Sequence, residues 1–222
     1  MTRPVAGQKR MGQPVLRFED QRLVTGSGTF TDDLRFVGEV YAAIVRSPHA
    51  HARVLSIDTT VAKAADGVLD VYTADDLEAV GVGPIPYFAT IRAPDGQAID
   101  APPCYGFARG TVRHVGEPVA MVIAVSVGLA RAAADLVGID YHQIQAITDV
   151  GKAVDESAPK LWANAPGNVV GQYRVGDEKA VTDTIASAAH VVRLTVINNR
   201  VVVFPLEPRV SIGVYDADKD EL

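Results

Sequence analysis

Apolar and polar positions fall into two regular blocks, separated by a passage that no periodicity fits. In the first block, Gly38–Arg46 is apolar on both alternating sets, which predicts a strand covered on both faces. Arg53–Asp58 predicts a second strand after the turn-forming Ser47-Pro48. Thr59 or Thr60 is placed to cap a short helix through Ala65, with Gly67 as its stop. Val68–Tyr72 is strand-like, and Thr73-Ala-Asp-Asp76 has capping-box spacing ahead of Leu77–Val80.

From Gly81 to Pro103 glycines and prolines interrupt the backbone too often for a regular element, so a long irregular loop is expected, with a turn at Asp95-Gly96. Order resumes at Thr111–Val115, followed by a turn at Gly116-Glu117-Pro118 and a strand over Val119–Val125. Ser126 is a suitable N-cap for a helix to Val137, with Leu129, Ala132, Ala133, Leu136 and Val137 as its apolar stripe and Gly138 as its end. Ile139–Ile144 predicts a further strand.

The composition shifts around Trp162 and Pro166-Gly167-Asn168, which places a boundary near residues 146–167. Beyond it, Ala180–Ala189 carries Val181, Ile185 and Ala188 on one helical face. His190–Phe204 alternates as a long strand with one solvated face, and Arg209–Tyr215 predicts another. Tyr215 leads into the turn composition Asp216–Asp220, which would hand over to a returning strand, yet only Glu221 and Leu222 follow. A half-paired ribbon leaves backbone groups unsatisfied, so the expectation is a portion of a longer protein, or a chain completed by another polypeptide.

Composition narrows the function classes. Apolar residues make up 48% and charged residues 22% of 222 positions, the balance of an ordinary globular protein. The net charge of −6, with no basic run longer than Lys9-Arg10, argues against a nucleic-acid partner. Cys104 is the single cysteine, so an internal disulfide and a cysteine-held iron–sulfur cluster are excluded, and a reducing cytoplasm fits. The N-terminus lacks the apolar run of a secretory signal, and Val119–Ala130 is too short to span a bilayer, so no membrane partner is expected. The terminal Lys-Asp-Glu-Leu matches an ER-retention signal but lacks a route into that pathway.

Candidate chemistry is sparse. Gly26-Ser27-Gly28 lacks a third glycine and a following lysine, so a hairpin turn is favoured over a phosphate loop. His49 and His51 share a face in an extended segment without a third ligand, and hydrogen bonding to backbone is favoured over a metal. Asp216, Asp218 and Asp220 lack the glycine and the distal carboxylate of a calcium loop. Cys104 has no cation beside it in sequence to lower its thiol pKa. Glu207, held between two prolines, is the most interesting lone carboxylate, with a salt bridge to Arg209 or Arg200 as the favoured role. No acid/base pair, Ser/His/Asp set or CxxC pair can be assembled.

Two stretches, Leu23–Asp33 and Ala43–Arg53 (Ala-Ile-Val-Arg-Ser-Pro-His-Ala-His-Ala-Arg), resemble the molybdenum-binding large subunit of the xanthine dehydrogenase/aldehyde oxidase family, which includes aerobic carbon-monoxide dehydrogenase. Val115–Ala120, Pro166–Asn168, Asn198–Arg200 and Pro205–Arg209 follow in the family's order, so the resemblance covers residues 13–222. Asn199 stands where Gln is usual, Leu206 where Met is usual, and Phe204 where a smaller residue is common.

The resemblance implies an α+β chain: a tail over 1–20, an α/β hammerhead domain over 21–145, a linker over 146–167, and the incomplete start of the first molybdopterin-binding domain over 168–222. It implies an oxidoreductase that hydroxylates an aldehyde, an N-heterocycle or CO with oxygen from water. Its cofactor would be molybdopterin, in the cytosine dinucleotide form, bound by the complete subunit. FAD and 2Fe–2S clusters would sit on a medium and a small partner subunit, in a dimer of heterotrimers, or the remainder of a split large subunit would be the partner. The family's catalytic, cofactor-binding and metal-binding residues lie downstream of residue 222, so none is carried over and this chain alone is expected to be silent. The alternative is a non-catalytic docking module from a split or decayed gene.

Overall fold

The structure, a computed structural model, describes residues 17–87, 101–171, 174–199, 201–205 and 209–222. The tail before residue 17, the expected turn at Asp95-Gly96, and Glu207 with its neighbours Leu206 and Pro208 lie outside the described residues, as does Arg200. The chain divides into two compact units, one spanning Gly38–Arg193 and the other combining the chain up to Val37 with Leu194–Leu222.

The larger unit holds two three-stranded antiparallel sheets. The first has the order β1 (Tyr41–Arg46), β5 (Pro118–Ala124), β3 (Val68–Thr73), and the second the order β4 (Thr111–Val112), β2 (Ala52–Asp58), β6 (Gly138–Gln143). Helices α2 (Thr60–Lys63), α3 (Ala74–Ala79) and α4 (Val127–Ala134) connect them. The expected strand–helix–strand passage through α4 is present, but β5 and β6 belong to different sheets, so α4 carries the chain from one sheet to the other.

Two small cores result. Val71 of β3, Val122 of β5, Ala62 and Ala133 form one, with Val45, Val68 and Val137 packed against it. Ala52 of β2, Val112 of β4, Val119 of β5 and Ala108 form the other, flanked by Val54, Ile57, Ile139 and Tyr141. Val71, Val112, Val119 and Val122 are completely enclosed, and each such side chain contributes about 1.5–3 kcal/mol of burial.

Several local details differ from the sequence reading. Strand β1 is covered on one face only: α4 packs on it, while Ala42, Ile44 and Arg46 on the opposite face are exposed. Helix α4 ends at Ala134 rather than Val137, and its buried positions are Ala130 and Ala133, with Leu129 and Leu136 exposed. The stripe is rotated because two alanines let the helix lie close to the sheet, which leaves the leucines at its margins. Ser126 does cap the helix, its hydroxyl accepting the Leu129 N–H at 3.3 Å. Gly138 is not the helix stop, since it opens β6 without a left-handed conformation. At α2 the cap comes from Asp58, whose carboxylate accepts the Thr60 N–H at 2.9 Å, rather than from a threonine hydroxyl. Gly67 has the expected positive φ of 75°.

The capping box ahead of α3 is formed. The Asp76 carboxylate accepts from the backbone N–H and the hydroxyl of Thr73, both at 2.7 Å, and these bonds hold its pKa below the ordinary carboxylate value.

The smaller unit departs most from expectation. Helix α1 (Asp20–Val24) was not anticipated. Gly26, at φ 73°, ends it in a Schellman motif, with Ser27 N–H donating to the Arg22 carbonyl at 2.8 Å and Gly26 N–H to the Leu23 carbonyl at 3.3 Å. Gly26-Ser27-Gly28 is therefore a helix C-cap and not a hairpin turn. Helix α5 (Glu178–Ser187), in the larger unit, matches the expected helix, but Val181 and Ile185 are exposed. The expected strands over His190–Phe204 and Arg209–Tyr215 are not formed among the described residues: the backbone enters no ladder, apart from one bridge between Asp216 and Glu221. A strand is defined by its partner, and none is paired here.

Two expected outcomes follow. A Cβ at Gly67 would sit 2.6 Å from Leu129 Cδ1 and 3.1 Å from Val125 Cγ2, whereas one at Gly81, whose φ is also positive, meets nothing within 4 Å. Gly81→Ala therefore carries backbone strain alone, about 1 kcal/mol, and Gly67→Ala exceeds it by the cost of moving Leu129, as urea unfolding of both variants will show. Because Asp76 has a lowered folded pKa, its stabilisation is present above the ordinary carboxylate pKa and is lost as pH falls through the folded value. Asp76→Ala lowers stability at neutral pH and flattens the acid-side loss, measured by thermal melts between roughly pH 3 and 7.

Candidate functional site

The motif residues converge on one turn-rich region of the larger unit. The Ser47 N–H donates to the Glu117 carbonyl at 2.9 Å, and the Gly116 N–H donates back to the Ser47 carbonyl at 2.8 Å. Arg46 Nη1 reaches the Gly116 carbonyl at 2.9 Å. Ser-Pro-His-Ala-His and Val-Gly-Glu-Pro are thus two halves of one clasp at the ends of β1 and β5. Gly116 has the positive φ of 83° that a tight turn here requires.

Inside the clasp the polar side chains are committed to backbone. The Ser47 residue is buried, and its hydroxyl accepts the His49 N–H at 3.0 Å and donates to the His49 carbonyl at 3.1 Å. His51 is also buried, with Nδ1 2.9 Å from the Gln145 carbonyl oxygen. His49 stacks edge-on against Tyr141 at 4.9 Å between ring centroids. Burial pushes the Tyr141 phenol above its ordinary pKa, partly offset by the Ser47 hydroxyl beside it, and the phenol oxygen completes no full hydrogen bond. The two histidines do not share a site. Among the described residues no group of three or more His, Cys, Asp or Glu stands close enough to hold a metal.

A second clasp was not foreseen. The Arg113 guanidinium lies 3.5 Å from the centroid of the Trp162 ring, donates through Nε to the Leu161 carbonyl at 2.9 Å, and through Nη1 to the Thr111 carbonyl at 2.9 Å. The Arg113 backbone N–H is accepted by the Glu117 carboxylate. Burial lowers the Arg113 pKa, and Glu117 works against that shift.

Asn168, left-handed at φ 55°, accepts the Leu161 N–H at 2.9 Å and donates to the carbonyls of Ala153 at 2.8 Å and Pro159 at 3.1 Å. Residues 153–168 are thereby wound around one amide side chain and tied back to the turn after β4. The lone tryptophan and an asparagine after Pro-Gly were the visible signals; Arg113, 48 positions before the Leu161 carbonyl it binds, was not.

Other candidates are scattered. Cys104 is a free, exposed cysteine whose backbone carbonyl accepts the Ile85 N–H at 2.7 Å. Arg109 stacks on Tyr105 at 3.8 Å and pairs with Glu78 at 3.3 Å beside a shallow hollow lined by Leu77, Val82 and Phe107. Asp216 accepts from the N–H groups of Asp218 and Lys219 and pairs with Lys219 Nζ at 2.7 Å, an ordinary acidic turn. What these arrangements do is fix loops. They bring no nucleophile, base and acid to one point.

Arg113→Ala removes the stack and two side-chain hydrogen bonds, so the emission of Trp162 shifts to the red and residues 153–168 become sensitive to protease. The stability loss should be about 1–3 kcal/mol. Arg113→Lys recovers little of it, because an ammonium cannot present the planar fork. Unchanged emission in both variants would remove the clasp.

Comparison with known proteins agrees with this geometry. The profile described as "Aldehyde oxidase and xanthine dehydrogenase, a/b hammerhead domain" matches residues 25–145. The chain is 35% identical to the nicotine 6-hydroxylase large subunit of Paenarthrobacter nicotinovorans, over 96% of its own length and 25% of that protein's. It is 32% identical to the carbon monoxide dehydrogenase large chain of Afipia carboxidovorans, over 96% of its own length and 26% of that chain. Quinoline 2-oxidoreductase from Pseudomonas putida 86 superposes with a TM-score of 0.67 at 36% identity, covering 80% of this chain and 22% of that one. The chain spans about a quarter of the length of the curated relatives it matches. It belongs to the aldehyde oxidase and xanthine dehydrogenase family, with an α/β hammerhead domain as its larger folded part.

Proposed function

We propose that this chain serves as the N-terminal portion of a molybdenum hydroxylase large subunit, in which the hammerhead is a framework for the cofactor-bearing parts. The observation that carries this reading is the match along 96% of the chain to large subunits of which it spans about a quarter. The complete enzyme would oxidise an aldehyde, an N-heterocycle or CO, a range in keeping with relatives named for nicotine, quinoline and carbon monoxide. One relative is named as a large molybdopterin subunit, and bound molybdopterin supplies redox chemistry at molybdenum. The described residues do not fit that group: they offer no donor cluster for a metal, the Ser47 hydroxyl and His51 imidazole are bound to backbone, and His49 packs on Tyr141. No step of the reaction is therefore assigned to this chain.

The proposed division is a tail over 1–20, the hammerhead over 21–145, a linker over 146–167 and the start of a molybdopterin-binding domain over 168–222. The proposed cofactor form is the cytosine dinucleotide. The proposed partners are an FAD-carrying medium subunit and a 2Fe–2S small subunit in a dimer of heterotrimers, in the cytoplasm. Among the described residues no helix is long and apolar enough to cross a membrane.

The test is co-production with the FAD and 2Fe–2S subunits and the remainder of a related large subunit. The expected result is a complex containing molybdenum and oxidising substrate with a dye acceptor, while the chain alone binds no pterin and oxidises nothing. Activity of the chain alone would overturn the assignment.

A further inference from the structure

Residues 149–168 are bound mainly to themselves. Among the described residues, every hydrogen bond and ring contact that this segment forms stays inside it, except those made with Arg113. One side chain supplies most of the cohesion. The Asn168 amide reaches back 15 positions to the Ala153 carbonyl, which closes the ends of an Ω-type loop, and it binds Pro159 and Leu161 in the middle. Losing that amide releases three backbone groups at once, so these bonds are kept or lost together. The Asn168 N–H adds a bond to the carbonyl of Ala165, which is 3% exposed.

Attachment to the rest of the larger unit runs through a different side chain. The Arg113 guanidinium covers the Trp162 ring, and its Nε donates to the neighbouring Leu161 carbonyl. The guanidinium is also seated independently of the loop, since Nη1 donates to the Thr111 carbonyl and the Arg113 N–H is accepted by the Glu117 carboxylate. It therefore stays in place when the loop leaves. We propose that residues 153–168 are a strap that opens and closes as one cooperative unit, short of global unfolding, with Arg113 as its latch. Opening bares the Trp162 ring, Ala165 and the Arg113 guanidinium next to β4 while both sheets remain intact. The inference does not rest on the subunit reading, because it concerns bonds made within this chain.

Native-state hydrogen exchange of the full chain, read amide by amide by NMR over a series of sub-denaturing urea concentrations, tests this. Expected is one shared opening for Ala158, Leu161, Ala165 and Asn168, with protection at least about 10-fold weaker than that of Val122 in β5. Arg113→Ala should speed all four strap amides by one common factor of about 10-fold or more. Ile139→Val, a change beside the core of the second sheet, should speed Val122 by about threefold and leave the four strap amides as they were, because the strap opens without disturbing that core. Four separate urea dependences overturn the unit. Equal acceleration of strap and Val122 by Ile139→Val shows that the strap opens only with the whole fold, and overturns it too. Acceleration of Leu161 in Arg113→Ala with Ala158 and Asn168 unchanged reduces Arg113 to a local contact and overturns the latch.

Discussion

Everything in the larger unit depends on β5 being paired along both edges. Its residues alternate between two environments: Ala120, Val122 and Ala124 are buried on the side that receives α4, while Val119 enters the core of the second sheet. One seven-residue strand therefore contributes an enclosed valine to each of the two clusters. Each cluster is small, and neither has the area to hold a sheet against the entropy of ordering its connections. Coupling them through a central strand makes the two sheets one cooperative body, which is why an unbroken apolar run is needed there.

That constraint also explains what the family motifs do. The strand has to enter the sheet at a fixed register, and the Gly116-Glu117 turn sets the entry by exchanging backbone hydrogen bonds with Ser47 at the end of β1. The register between these strands shifts at Val45/Arg46, next to the same turn. Serine, proline, glycine and histidine at these positions look like chemistry in a list of residue types. In place they are turn formers and backbone ligands, with hydroxyl and imidazole spent on carbonyl and amide groups.

What could be read from the sequence follows the range of the forces involved. Strands β1, β2, β3, β5 and β6, the Thr73–Asp76 capping box and the Ser126 cap were legible because periodicity and capping act within a few residues. The division of strands between two sheets was not, since nothing local tells β6 to pair with β2 rather than β5. The stripe on α4 was right at Ala133 and Val137 but misread at Leu129 and Leu136, because large side chains were assumed to face the core when alanines gave the closer approach. The Arg113–Trp162 clasp was not legible, because its two sides lie far apart in the chain and each alone has many ordinary roles.

Residues 191–205 mark the point at which local reading and local structure part company. Alternation and β-branched content specify a strand there as strongly as they do at β5, yet the backbone remains unpaired. Propensity fixes the conformation a segment prefers, but a strand gains most of its stability from hydrogen bonds and side-chain pairs supplied by neighbours. The same valines are a core in one place and an exposed run in the other, and the difference lies in what stands beside them. Sequence preference alone therefore does not make a strand: the described residues of this run have the composition for one and no ladder to enter.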